Sequence, residues 1–296
     1  MDKTLWRNII ANDYVLPEQQ SLADLTSTLL SYLGSTDPEL RESIAYPILE
    51  KWIDRAYYSC IDLWNMAGRL LHNFTIGLGE EGTDTIFLRS FSILTLVDII
   101  AYDLKHSCLD EAQVNQIQEQ VFTYLLAEKD LRDYETGKGW MHSIAHCGDL
   151  LWALAQHHFT GTLKQERMMN VIAARVSAPV AHIYLYDEDE RLVRSVMAIL
   201  QRNLLSIDFL KRWLSQLTHP VERIAFNEEV ERQLDIMGNK AETCARHNIK
   251  HFLRGLYFQL LSPGFAGLTM VDEKPSQADE FLPLVEDALR NIRTWC

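Results

Sequence analysis

The sequence predicts an all-α protein in which antiparallel helix pairs stack into a right-handed α-α superhelix. Three observations carry this. Apolar residues recur at helical spacing along almost the whole chain, strand-like alternation is nearly absent, and the breaks between periodic segments are short. Short connections make sequential helices antiparallel neighbours. Helices are expected near residues 17–33, 38–55, 60–74, 84–105, 110–127, 139–158, 163–177, 188–203, 206–217, 228–261 and 276–293.

Local signals justify these segments in order. Gly34-Ser35 closes the first, and Asp37 before Pro38 opens the second, with a capping carboxylate ahead of a proline at the first helical position. The glycine-rich run Gly77 to Gly82 separates the third from the fourth. The fourth contains the most apolar stretch, Ile86 to Ala101. Arg89 and Asp98 interrupt it, and it falls short of the roughly 20 residues needed to span a bilayer, so it predicts a buried central helix. Asp110 with Gln113 has capping-box spacing, and Asp187 with Glu190 repeats it. His219-Pro220 and Ser262-Pro263-Gly264 mark later breaks.

Composition bounds the function. The 296 residues are 47% hydrophobic and 23% charged, as in a soluble globular protein, and no shift in composition cuts residues 1–296 into more than a single α-helical domain. Forty-one acidic against 28 basic residues give a net charge of −13, which argues against binding to nucleic acid or to an anionic membrane. Cys60, Cys108, Cys147, Cys244 and Cys296 are scattered, odd in number and free of CxxC spacing. They suggest neither a disulfide framework nor a zinc knuckle, and a reducing cytoplasm fits them best. The opening MDKTLWRNIIANDYVLPEQQ lacks the basic and apolar regions of a secretory signal, which again predicts a cytoplasmic protein. Asn73-Phe74-Thr75 matches a glycosylation acceptor that such a location leaves idle.

Two segments, DPELRESIAYPILEKWI from Asp37 and DEDERLVRSVMAIL from Asp187, share an acidic start, an arginine and an apolar helical stripe. They resemble the helical repeats of HEAT and armadillo proteins, whose stacked pairs form an α-solenoid with a concave groove. DPELRESIAY, FLRSFSILTL from Phe87, EKDLRDYETGKGWMHSIAHCGDLL from Glu128, DERLV from Asp189 and KHFLRGLYFQL from Lys250 occur in one order. Together they resemble the bacterial family catalogued as domain of unknown function (DUF) 2785, and the central stretch is the most specific. The resemblance implies an α-helical, solenoid-like protein and brings no established activity with it.

The sharpest site candidate is GWMHSIAHCGDLLWALAQHH, Gly139 to His158. On a helix, His142, His146 and Asp149 fall within about 60° of one another, opposite Trp140, Ile144, Leu150, Leu151 and Leu154. Imidazoles one turn apart with a carboxylate three residues on are suited to a divalent metal, with Glu128 or Asp130 as a further ligand. Without metal, one histidine serves as acid or base, oriented by Asp149 or Glu128, with Arg132 or Lys138 holding an anionic group. The plainer alternative is that these histidines bond to neighbouring backbone or carboxylates while Trp140 and the leucines form core. The glutamate of the HExxH zinc motif is absent. Cys147 adjoins His146 but points about 100° away, which makes it a small buried residue rather than a nucleophile.

A second candidate is the row Arg246, His247, Lys250, His251 and Arg254, a basic stripe for a phosphate or an acidic partner, or else a solvated or ion-paired face. Gly77-Leu78-Gly79-Glu80-Glu81-Gly82 fits GxGxxG by letter, yet no strand precedes it and two glutamates occupy it. Asp187 to Glu190 lacks EF-hand spacing. Arg89, inside an apolar helix, needs a carboxylate partner. The leading expectation is a binding scaffold that recognises a protein, peptide or small ligand in a groove centred on residues 139–158, with Trp140 as an aromatic anchor. The alternative is a hydrolase that uses His142, His146 and Asp149, either around a metal or as acid-base groups.

Overall fold

A central helix that is apolar on every side organises the first half of the chain in the computed structural model, which describes residues 3–226, 236–263 and 274–292. The protein is mostly helical, as its periodicity predicts. Contacts divide it into two compact units, Met1–Leu150 and Leu151–Cys296. The boundary falls inside helix α7 (Ser143–Gln156), where composition gives no sign of it.

The first unit contains α1 (Thr4–Ala11), α2 (Leu22–Tyr32), a π-helix (Glu39–Ala45), α3 (Tyr46–Asp54), α4 (Cys60–Asn73), α5 (Thr85–His106) and α6 (Glu111–Ala127). Helix α5 is the expected buried helix and packs on α3 and α4. It has the length and hydropathy to cross a membrane, but its buried residues lie on all faces, as in a core helix. Asp110 and Gln113 form the expected capping box, and Ser59 and Asp62 form another. The second helix departs from the prediction. Pro47 has no N–H to give and its ring crowds the carbonyl four residues back, and the turn ahead of it is widened so that the Tyr46 N–H reaches Arg41 O.

The cysteine reading is corrected here, since Cys60 and Cys108 are joined in a disulfide. Antiparallel packing of α4 and α5 brings the start of one beside the connection that follows the other, and a separation of 48 residues gives no spacing signal.

The second unit contains α8 (Thr162–Val176), α9 (Glu188–Gln201), α10 (Ile207–Phe226), α11 (Ile236–Leu261) and α12 (Ala278–Asn291). Helix α11 packs on α8, α9, α10 and α12. Trp213 anchors this core against Phe252 and Phe281, and its indole N–H donates to Met169 O at 2.7 Å. The fully buried Asn248 amide accepts from Tyr184 N and donates to His182 O, which ties the connection before α9 onto α11. Two expectations fail in this unit. Helix α10 runs through His219-Pro220, and Asp187 sits in the left-handed region (φ 67°) and makes no side-chain cap. The expected helix start at 228 lies outside the described residues.

Candidate functional site

Between α6 and α7 the chain leaves the helical pattern for Glu128 to His142, and four buried anchors fix this segment. Residues 139 and 140 were expected to open a helix. They form instead β2 (Gly139–Trp140), paired antiparallel with β1 (Tyr134–Glu135). Gly137 (φ 87°) and Gly139 (φ 86°) turn the hairpin through backbone conformations that favour glycine. His142 is also left-handed (φ 48°), and α7 starts only after it, with His142 O accepting from His146 N at 2.9 Å. The expected helical row is thereby split. His142 precedes the helix, whereas His146 and Asp149 lie on it, both buried.

The first anchor is Glu128. Arg89 donates Nε to Glu128 Oε2 at 2.7 Å and Nη2 to Oε1 at 3.0 Å, with both side chains fully buried. This is the carboxylate partner that a buried Arg89 requires. Tyr124 donates its hydroxyl to Glu128, and burial, with the glutamate's charge, pushes the phenol well above its ordinary pKa, so it keeps that proton. Glu128 Oε1 also accepts from Lys129 N and Asp130 N. Asp130 is the second anchor. It accepts from Gly82 N at 3.0 Å and from Arg132 Nη2 at 2.7 Å, while Arg132 also reaches Glu135 and Thr83 O. The Gly77–Gly82 run thus serves as a structural loop.

The third anchor comes from the π-helix. Arg41, fully buried, donates to Ser35 O, to Lys138 O at 2.5 Å and to Glu42 Oε1 at 2.5 Å, and its guanidinium lies 4.0 Å from the centre of the Phe87 ring. Glu42 Oε1 also accepts from Trp140 N at 2.9 Å. The fourth is Met141, buried against Ile86 and Phe87, with its carbonyl accepting the Ser90 hydroxyl.

The segment presents an aromatic ledge. Trp140 and His142 stack with ring centres 4.3 Å apart and planes 7° from parallel, and Tyr134, half of it exposed, meets Trp140 edge-on at 4.9 Å. Lys138, bridged to Asp84 and Glu135, and Arg132 form its charged rim. His146 lies 5.8 Å from His142, ring centre to ring centre. Its Nδ1 is 2.8 Å from Ser90 Oγ and 3.2 Å from Ser90 O. Since the Ser90 proton goes to Met141 O, the network assigns an N–H to His146 Nδ1. An Asp133 carboxylate oxygen and a His142 ring nitrogen lie within 4.8 Å. Cys147 is buried, as expected. Arg246, Lys250 and Arg254 belong to α11, in the other unit.

Asp98, one of the two charges that interrupt the apolar stretch, lies on α5. Its Oδ2 is buried and has no hydrogen-bond partner among the described residues. Burial, reinforced by Glu50, opposed by Lys51 and reinforced again by Asp149, raises its pKa well above the ordinary 3.8. The folded carboxyl therefore holds its proton to higher pH than the unfolded one. Stability falls as pH rises from 3.8 through the folded value, and the penalty is complete above it. Asp98→Asn is expected to melt higher than the wild type at neutral pH, with the difference closing in acid. Equal or lower melting at neutral pH would show that the ionised form is accommodated.

Arg41, Glu42, Ser90 and Tyr134 were not singled out from sequence. Arg41 and Glu42 lie in the quoted DPELRESIAY stretch, but no spacing links them to Gly139, and only tertiary packing does so. A family model described as protein of unknown function (DUF2785) matches residues 74–258. No curated protein and no solved structure matches the chain.

Proposed function

We propose that this chain, which belongs to the family described as protein of unknown function (DUF2785), is a recognition protein that takes a small ligand or peptide on the ledge of Tyr134, Trp140 and His142. The observation that carries the reading is the scaffolding. Two fully buried arginines from separate elements, Arg41 and Arg89, hold one irregular segment rigid in an otherwise helical unit. Burying such charges is costly, and it is warranted where side chains must be presented in a fixed geometry. The left-handed His142 and the π-helix under Gly139 are further features that concentrate at functional positions. Stacked aromatic rings with a balanced charged rim suit a ligand that offers a planar or apolar ring face. In this reading the ledge faces the groove of a HEAT/armadillo-like stack of helix pairs.

A thermal-shift screen of nucleosides, sugars and aromatic peptides tests it, run on the wild type beside Trp140→Ala. A ring-bearing compound is expected to raise the wild-type midpoint and to leave the folded variant unmoved. A compound that shifts both equally binds elsewhere and removes the ledge from the reading.

One observation favours a second reading, acid-base hydrolysis by His146. A histidine whose Nδ1–H is pinned by Ser90 has its ring held in a fixed orientation, as a general base or a metal ligand requires. Turnover of activated esters or phosphate esters, with or without a divalent metal, that is lost in His146→Gln would bring this reading to the front.

A further inference from the structure

The basic stripe of α11 lies in the second unit and is not used by the ledge. Arg246, Lys250 and Arg254 follow one another at spacings of four, so their side chains stay within about 80° of one face and span about 12 Å of helix. His247, exposed, lies on the same face. Several surface cations elsewhere, Arg7, Arg55, Lys138 and Arg290 among them, meet a carboxylate. The three on α11 do not: among the described residues no carboxylate comes within 4.0 Å of any of them. In a chain of net charge −13, an uncompensated row of three cations is unexpected for a merely solvated face. Glu242 lies one turn before Arg246, and Asp189 interacts electrostatically with His251. Burial raises the Asp189 pKa, which weakens its opposition to an incoming anion.

We infer that the Arg246–Lys250–Arg254 face of α11 is a binding site for a small polyanion extended along the helix. Two arginine forks separated by a lysine point charge match a chain of phosphates or a row of carboxylates, each anion meeting one cation per turn. Helix α11 is held through the buried Asn248, Phe252 and Leu256, which point away from the row, so the row needs no rearrangement to receive the ligand.

Isothermal titration of the full chain with inorganic tripolyphosphate and, separately, with citrate tests this. Binding that weakens about tenfold or more in Arg254→Glu, and weakens again with added salt, is expected. Tripolyphosphate alone binding identifies phosphate as the natural group, citrate alone identifies carboxylate, and both binding supports the shared chemistry. Arg254 is exposed, so its replacement leaves the core untouched, and Lys250→Gln provides a milder second variant. Binding by neither anion, or equal affinity in both variants and the wild type, overturns the inference. Trp140→Ala is expected to leave this binding unchanged, which keeps the outcome separate from that of the ledge.

Discussion

Gly139→Ala is expected to destabilise the protein by about 3 kcal/mol, lowering the melting midpoint by about 6–12 °C. Two costs add at this position. The backbone sits at φ 86°, which an L side chain adopts only under strain. A β-carbon would also overlap Glu42 Oε1 and lie 2.9 Å from Arg41 Nη2 and 3.0 Å from Pro38 Cβ. None of these can retreat cheaply, because Arg41 is fully buried and Glu42 already binds Trp140 N. Gly137→Ala is the matched control. Its φ is 87°, but a β-carbon there meets nothing within 4 Å, so only the backbone strain of about 1 kcal/mol is expected. Equal losses at the two glycines would mean that the contact with the π-helix contributes nothing.

The same contrast explains how far the sequence could be read. Helices governed by local chemistry were legible: Asp110 with Gln113 caps α6, and unbroken apolar character makes α5 a core helix. Features decided by tertiary contact were not. Pro220 reads as a break, yet α10 continues through it, and the stretch from Gly139 reads as helix, yet Gly139 and Trp140 fold into a hairpin. Arg41 is the reason the second result was hidden. It lies 97 residues from the Lys138 carbonyl it holds, a pairing that no periodicity encodes.

Site residues divide along the same line. Trp140, His142 and His146 could be picked out from residue type and proximity in sequence, and the structure does bring them together. Their geometry does not follow from spacing, because the predicted helical row gives way to a left-handed backbone at His142. Glu128 and Asp130 read as possible ligands, and both are occupied by arginines and backbone amides. The need of Arg89 for a carboxylate was predictable from the cost of burying a guanidinium, although its partner 39 residues away was not.

That pair gives the other large expected effect. Arg89→Met leaves Glu128 charged and buried, and Glu128→Gln leaves Arg89 in the same position, so each alone is expected to cost about 3–5 kcal/mol. The double variant contains no unpaired buried charge, and the glutamine can still accept from Lys129 N and Asp130 N as Glu128 does. It is therefore expected to lose no more than the worse single variant, and chemical denaturation of all four proteins measures the coupling. Losses that simply add would mean that the two side chains act independently, against their bidentate contact. Hydrogen exchange gives the link to function. If Arg89 and Glu128 fix the start of the irregular segment, amides from Glu128 to His142 should lose protection in the single variants before the rest of α5 does. The ledge would then loosen through its foundation while Tyr134, Trp140 and His142 remain unaltered.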